Sequence, residues 1–349
     1  MTSRVQDWGQ ISLDSKLSTT PIPKSLRRAI IESIFDTSLT EHNFEAANGF
    51  HSYFYDWYED QVQAAACHTS IMTYGELLNI LSHIRLDQSR ENLLDKLLQD
   101  QPLAEKERLD ASINLAAKLW MTVSIGHVKQ ALPSGSVILW EKGRLSETVY
   151  TTLWPQPQLS EKIKLPRTFT AANLERIAGL EIGWTSNLAD HLCLKDDDKR
   201  VMLYHQVSFL ELHQKNQTAA FPPHLIEETL STLGLLIPTT DKRSRTWFHQ
   251  KQRTLNLDPK AGSYGPLPTS ARQIEHFHFW RDRLIILKQT FDEVEPHTLS
   301  LWWNDDRKKV QWYTFWVAAL VLVLTVVFGL VQCAAGVVQA WASMKSLQS

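Results

Sequence analysis

Along most of this chain the apolar residues recur with the spacing of amphipathic helices. From Pro23, Leu26, Ile30 and Ile34 share one face while Arg27 and Arg28 point away, which predicts a helix opened by a proline. Ile71–Leu86 and Asp87–Gln99 read as two more, with Leu77, Leu81 and Ile84, then Leu93, Leu94, Leu97 and Leu98, as their inward stripes. Ser112–Gln130 reads as another, carrying Ile113, Ala116, Leu119, Trp120 and Val123. Short connections between such helices favour antiparallel neighbours. Between the first two, a loop with Asn48-Gly49 leads into the aromatic run Phe50–Tyr58. That run reads as a core element, because almost no Lys or Arg lies beside it to make a base-stacking platform.

The period changes after Pro133. Val137–Trp140, the turn residues Glu141-Lys142-Gly143 and Thr148–Leu153 predict a β-hairpin. Pro155, Pro157 and Pro166 punctuate the next loop. Thr170 then caps a short helix over Asn173, Leu174 and Ile177, stopped by Gly179. Leu180–Thr185 reads as a strand, and Val201–Leu212 as a strand running into a helix. Pro222 and Pro223 open a helix through Leu225, Ile226, Thr229, Leu230, Leu233 and Leu236 that ends at Pro238. Residues 239–268 read as a loop rich in Lys, Arg, Gly and Pro. Thr269 or Ser270 then caps a helix carrying Ile274, Phe277, Trp280, Leu284, Leu287 and Phe291, which Pro296 separates from the C-terminal apolar run.

That last run has no polar face. Phe315–Val338 carries no charge and is interrupted chiefly by Gln332. As a helix it is roughly 36 Å long, enough to cross a ~30 Å hydrocarbon core. Arg307, Lys308 and Lys309 precede it and only Lys345 comes after, so the positive-inside rule puts the N-terminal part in the cytosol. Trp302, Trp303, Trp312, Tyr313 and Trp316 on one side and Trp341 on the other match interfacial aromatic belts. Met1–Thr20 is polar and has no signal-peptide core. The expectation is a single-pass protein of the tail-anchored type, with endomembrane favoured over other organelles. Asn216-Gln217-Thr218 is a glycosylation sequon that stays unmodified in that topology.

Composition narrows the partners. A length of 349 residues with a formal charge of −2 gives no general reason to expect nucleic acid or acidic lipid as the main partner. The lipid bilayer is the expected partner, together with a protein partner or a second copy through the span. Cys67, Cys193 and Cys333 are too far apart for a metal set or a disulfide framework and suit a reducing compartment.

Chemical motifs are few. Asp196-Asp197-Asp198 reads as a solvated turn rather than a cation or nucleotide-sugar site, because such a site needs oxygen ligands converging from several directions. His191, His205 and His213, and the pair His276 and His278, lack a first shell at any metal-binding spacing. Gly262-Ser263-Tyr264-Gly265 misses the nucleophile elbow, since Ala261 stands where that motif needs glycine. Lys242-Arg243-Ser244-Arg245, with Lys251 and Arg253, reads as a solvated loop, with contact to anionic headgroups as the alternative. Gly329, Cys333 and Val337, and Gly336 with Ala340, form a small-residue face in the span. No catalytic residue, metal set or cofactor is assigned.

Three stretches carry a family resemblance. They are Asn173–Gly179 leading into Trp184–Leu192, Arg272–Glu275 with Phe279–Leu284, and Trp302-Trp303 with Gln311–Trp316. Residues 150–340 resemble an expanded group of uncharacterised filamentous-fungal (ascomycete) proteins with a C-terminal membrane helix. The resemblance implies a fungal membrane-anchored protein and supplies no activity. The expected architecture is a mainly helical α+β domain with a small β element and one C-terminal transmembrane helix. Its divisions are a flexible segment 1–22, a helical region 23–132, an α+β region 133–298 packed with it, a juxtamembrane segment 299–314, the span 315–338 and a tail 339–349. The leading expectation is an interaction or scaffold module. The alternative is an accessory enzyme or helper in fungal secondary metabolism, with Trp184, Asp190 and His191 around its pocket.

Overall fold

The computed structural model describes residues 17, 24–36, 38, 52–68, 73–102, 105–126, 136–153, 157–216, 220–293 and 309–346. The described residues are mainly helical, with small sheets and one long apolar helix, the α+β class expected. The chain divides into two units, residues 1–293 and 294–349.

The first unit opens with α1 (Lys24–Phe35), α2 (Ser52–His68), α3 (Tyr74–Arg85), α4 (Arg90–Asp100) and α5 (Lys106–Met121). Helices α2, α3 and α4 all pack on α5. The sequence of α5 explains this: Leu109, Ile113, Leu115, Ala116, Ala117, Leu119, Trp120 and Met121 are buried on more than one face. A helix apolar on several sides is stable only when surrounded. Thr73 and Glu76 close a reciprocal capping box on α3, with N–H to side-chain oxygen distances of 3.0 and 3.2 Å. Ser89 caps α4. Buried Arg90 stands over the Trp140 ring at 5.1 Å and donates to Asn114 Oδ1 (2.9 Å) and Asp110 Oδ1 (3.0 Å). Within the aromatic run, Phe54 and Tyr58 are buried in α2, and the Phe54 ring stacks on Tyr58 and Phe209. Asn48, Gly49, Phe50 and nearly all of segment 1–22 lie outside the described residues, as do the side chains of Leu26 and Cys67.

The expected hairpin over 137–153 does not form. Ile138–Leu139 (β2) instead pairs in parallel with Ile125–Gly126 (β1), so α5 stops at Met121, where Thr122 turns the chain at φ 48°. Leu145–Leu153 is a helix, α6, whose buried side chains Leu145, Val149 and Leu153 are four apart. The β-branched residues around Val149 imitate a strand, but burial of that helical stripe wins. Gly143, at φ 70°, makes the preceding turn and accepts the Trp140 indole N–H (2.9 Å).

Helix α7 (Ala171–Ala178) runs from its Thr170 cap to Gly179 at φ 67°. The second sheet is β3 (Glu181–Thr185), β4 (Leu194–Lys195) and β5 (Arg200–Tyr204) in the order β3-β5-β4. β3 and β5 are parallel over five pairs, Glu181 opposite Arg200 through Thr185 opposite Tyr204, while β4 runs antiparallel to β5. Asp196, Asp197 and Asp198 form the β4–β5 turn, all left-handed at φ 55°, 54° and 60°. Helices α8 (Val207–Lys215) and α9 (Leu225–Leu236) come next.

Two further expectations give way here. Residues 239–268 are not all loop: α10 (Lys242–Leu255) lies inside them, capped by the Asp241 carboxylate on the N–H groups of Arg243 and Ser244. With so few apolar residues, α10 shows almost no helical stripe in sequence. The helix expected from Thr269 begins only at Arg281 (α11, Arg281–Glu293), after two short turns at Ser270–Arg272 and Ile274–His276. The cause is competition for backbone groups. Leu165 N–H donates to Arg272 O, and the N–H groups of His278 and Trp280 donate to the Glu228 carboxylate at 2.8 Å each. Those donors are lost to any helix there.

The second unit contains α12 (Lys309–Ser346). Its stretch Tyr313–Trp341, 29 residues containing an 18-residue window of mean hydropathy 2.6 with none of it buried, is long and apolar enough to cross a membrane. The helix continues past both ends of the expected span 315–338, into the segments assigned as juxtamembrane and tail. Trp302, Trp303, Arg307 and Lys308 lie outside the described residues, as do the side chains of Lys309 and Trp312. Tyr313 and Trp341 are exposed near the two ends, and the rings of Phe315 and Trp316 meet edge to face at 5.5 Å.

Candidate functional site

The expected pocket residues occupy the end of β3 and the turn after it. Asn187 organises that turn, accepting Ser124 N–H (3.0 Å) and donating to Ser136 O (2.7 Å) and Asp190 Oδ2 (3.2 Å). Asp190 is buried; it accepts Ser136 N–H at 2.7 Å and pairs with Lys195 at 3.4 Å. These bonds tie the residues beside β1 and β2 to the second sheet.

His191 is wholly buried. Its Nδ1 accepts the backbone N–H of Tyr204 (3.1 Å), which assigns the ring proton to Nε2, 2.7 Å from Thr232 Oγ1. The Thr232 hydroxyl passes its own proton to Thr229 O (2.6 Å). The imidazole meets Trp280 edge-on at 4.9 Å. Burial, with the Arg283 guanidinium nearby, pushes its pKa down to about 3. Arg283 donates to the carbonyls of Ala189 and His191 and covers the Trp280 ring at 5.1 Å. A neutral ring with both nitrogens engaged is a joint between β5 and α9 rather than a proton acceptor.

Trp184 faces other neighbours, with its ring 6.0 Å from Trp247 and 5.9 Å from Phe248, both on α10. Trp247 and Lys251 donate to the Glu175 carboxylate of α7. The Trp184 indole N–H is buried and has no hydrogen-bond partner among the described residues. Asp190 and His191 are thus adjacent and structural, while Trp184 belongs to the α7–α10 contact. The three do not converge on one cavity.

A second polar group escaped sequence reasoning. Ser186 Oγ lies 3.2 Å from His205 Nε2, and Asp258 stands on the other side of the ring, in an order resembling a catalytic triad. The protons run the wrong way for that role. His205 Nδ1 accepts the backbone N–H of Asp258 (3.4 Å), so Nε2 carries the ring proton and gives it to Ser186, whereas a general base must accept there. The Asp258 carboxylate takes the N–H (2.6 Å) and Oγ (3.1 Å) of Ser208 and the N–H of Lys260 (2.9 Å). Burial pushes His205 and His213 down to about 4, and His213 Nε2 donates to Trp120 O (2.8 Å).

Three of the clefts among the described residues of the first unit show what its polar groups do. One of about 480 Å³ is lined by Phe35, Asp36, Arg85, Trp120, Ser146 and Asn216. Its polar groups finish α1: Arg85 donates to Ile34 O and Asn216 Nδ2 to Phe35 O (2.7 Å), the carbonyls a helix end leaves open. Another, about 590 Å³, holds Glu211, Lys215, Glu227, Ser231 and Tyr264. There the Tyr264 hydroxyl donates to Glu211 (2.6 Å), and burial together with that carboxylate raises the phenol's pKa. The third, about 350 Å³, lies between Tyr150 and Thr151 of α6 and Phe221-Pro222-Pro223. None of the three is lined by Trp184, Asp190 or His191. Among the described residues no group of three or more His, Cys, Asp or Glu side chains is placed to hold a metal ion.

One carboxylate was legible as special in principle. Glu228 sits on the inward face of α9 among Leu225, Thr229, Thr232 and Leu233, and a charge on a buried stripe demands partners. Burial raises its pKa, opposed by the N–H groups of His278 and Trp280. No protein-family model, curated protein or solved structure matches the chain.

Proposed function

We propose that this chain is a single-pass membrane protein whose first unit lies on the cytosolic side of an endomembrane and works as an interaction or scaffold module. The observation that carries the reading is α12, where Tyr313–Trp341 is apolar all round and unburied. Lipid is the solvent in which such a surface is stable. The side rests on Arg307, Lys308 and Lys309 before the span against Lys345 after it. The resemblance of residues 150–340 to the ascomycete group belongs to the same reading.

The span also carries a means of association. Thr325, Gln332 and Gln339 are spaced seven apart, with Gly329 and Gly336 between them on the same seam of one continuous helix. Thr325 is bonded to its own helix at Val321 O (2.8 Å). The Gln332 amide has donors and an acceptor to offer, and in hydrocarbon a second copy satisfies both.

The test is alkaline carbonate extraction and protease treatment of intact vesicles carrying the full chain. Retention in the membrane pellet with digestion of the first unit from outside is expected. Release by carbonate, or protection of that unit, overturns the reading. Because the Asn216 amide is engaged with Phe35 O, protease access is a stronger reporter than glycosylation at that sequon.

A further inference from the structure

The basic cluster read as loop is wound into α10, and winding gives it a geometry. Lys242, Arg245, His249 and Arg253 succeed one another at intervals of three, four and four residues, which places them in one stripe about 16 Å long. All four are exposed, and so are Thr246 and Gln250 beside them. The opposite side holds Ser244 and Phe248 in the core, while Lys251 is committed to Glu175 at 2.7 Å. Among the described residues no ion pair includes Lys242, Arg245 or Arg253.

We infer that this stripe docks the first unit on the anionic lipid headgroups of the membrane that α12 crosses. The inference rests on the membrane reading above; two observations suit an anionic surface, and a third favours lipid over other polyanions. Charge is complementary, since the cytosolic leaflet is negative and each Lys or Arg at its surface adds attraction. The face carries no Leu, Ile, Val, Phe or Trp, so contact stops at the headgroups and does not require insertion. The tether is short: residues 294–308 span at most about 50 Å when fully extended, which keeps the stripe at high effective concentration near the bilayer. A nucleic-acid partner has no such tether to the chain.

The experiment uses the full chain reconstituted in vesicles of phosphatidylcholine alone or of phosphatidylcholine with phosphatidylserine. Hydrogen exchange is read at the amides of Lys242–Leu255. Slower exchange on the phosphatidylserine vesicles is expected, lost at high salt and lost in the K242Q/R245Q/R253Q variant. Each single Gln substitution should lower the docked-to-free ratio roughly fivefold. Circular dichroism of the triple variant should match the parent, since all three side chains project into solvent. Equal exchange on both vesicle types overturns the inference, as does protection that survives the triple variant. Protection by polyglutamate in detergent micelles without protection on phosphatidylserine vesicles also overturns it, in favour of an acidic protein. Failure of the membrane reading looks different, because the chain then leaves both vesicle types in alkaline carbonate.

Discussion

Leu233 and Leu324 are the same side chain in the same kind of helix, yet one is 0% and the other 45% exposed. Thr232 and Thr325 make the same contrast: the first bridges His191 to α9, and the second folds back on its own backbone at Val321. In the first unit the described helices bury side chains against their neighbours, and polar groups hidden there such as Glu228, Thr232 and His213 find partners. Helix α12 has no stripe to hide. The difference is one of solvent rather than helix propensity: the first surface is hidden from water by its neighbours, and the second is long and apolar enough to suit hydrocarbon.

Moving one charge between the two units separates them most sharply. Leu233→Arg should unfold the first unit, at a cost above about 4 kcal/mol for a buried unpaired charge, read as loss of the cooperative denaturation transition. Leu324→Arg should leave that transition unchanged and weaken insertion by about 3 kcal/mol, read by carbonate extraction. If both variants merely unfold the protein, the contrast fails.

Acid should act on the first unit through its buried histidines. His191, His205 and His213 sit at about 3, 4 and 4 in the fold, against about 6.5 unfolded. Between those values the unfolded chain binds protons that the native state refuses, so stability falls as pH drops below about 6.5, down to about 4 for His205 and His213 and to about 3 for His191. The slope is up to about 1.4 kcal/mol per pH unit for each ring, and a melting temperature flat from pH 7 to 5 would contradict it. Smaller is Glu228→Gln, which keeps the shape and weakens the bonds from His278 and Trp280, for about 1.5–3 kcal/mol by urea denaturation. Asp190→Asn should cost about 1–2 kcal/mol through Ser136 and Lys195. Loss of biological function without that loss of stability would favour an enzyme. Smallest, Gln332→Leu should weaken association of the span by about 1 kcal/mol in a cross-linking titration while insertion is kept.

Where burial and period agreed, the sequence was readable. Helix α9 between its prolines, α7 between Thr170 and Gly179, and the apolar α12 all arise from local pattern. Where a remote partner decided, it was not. Helix α6 depends on burying three side chains against neighbours, α10 on one cap and one Phe, and the segment before Trp280 on a carboxylate some fifty residues away. The candidate site shows the same limit. Asp190 and His191 stand out in sequence as polar residues among apolar ones, a pattern shared by reactive groups and by buried joints. Only the partners tell the two apart, and here they are Ser136, Lys195, Tyr204 and Thr232.

The β4–β5 turn constrains how this surface can drift over generations. Asp196, Asp197 and Asp198 all hold a left-handed backbone that costs most side chains about 1–2 kcal/mol each. Replacement by Asn or Gly is cheap, and replacement by Val or Ile is not. An outward-facing, water-covered corner therefore admits a narrow alphabet, filtered by the shape of the main chain alongside the 3.1 Å pair of Asp196 with Arg200.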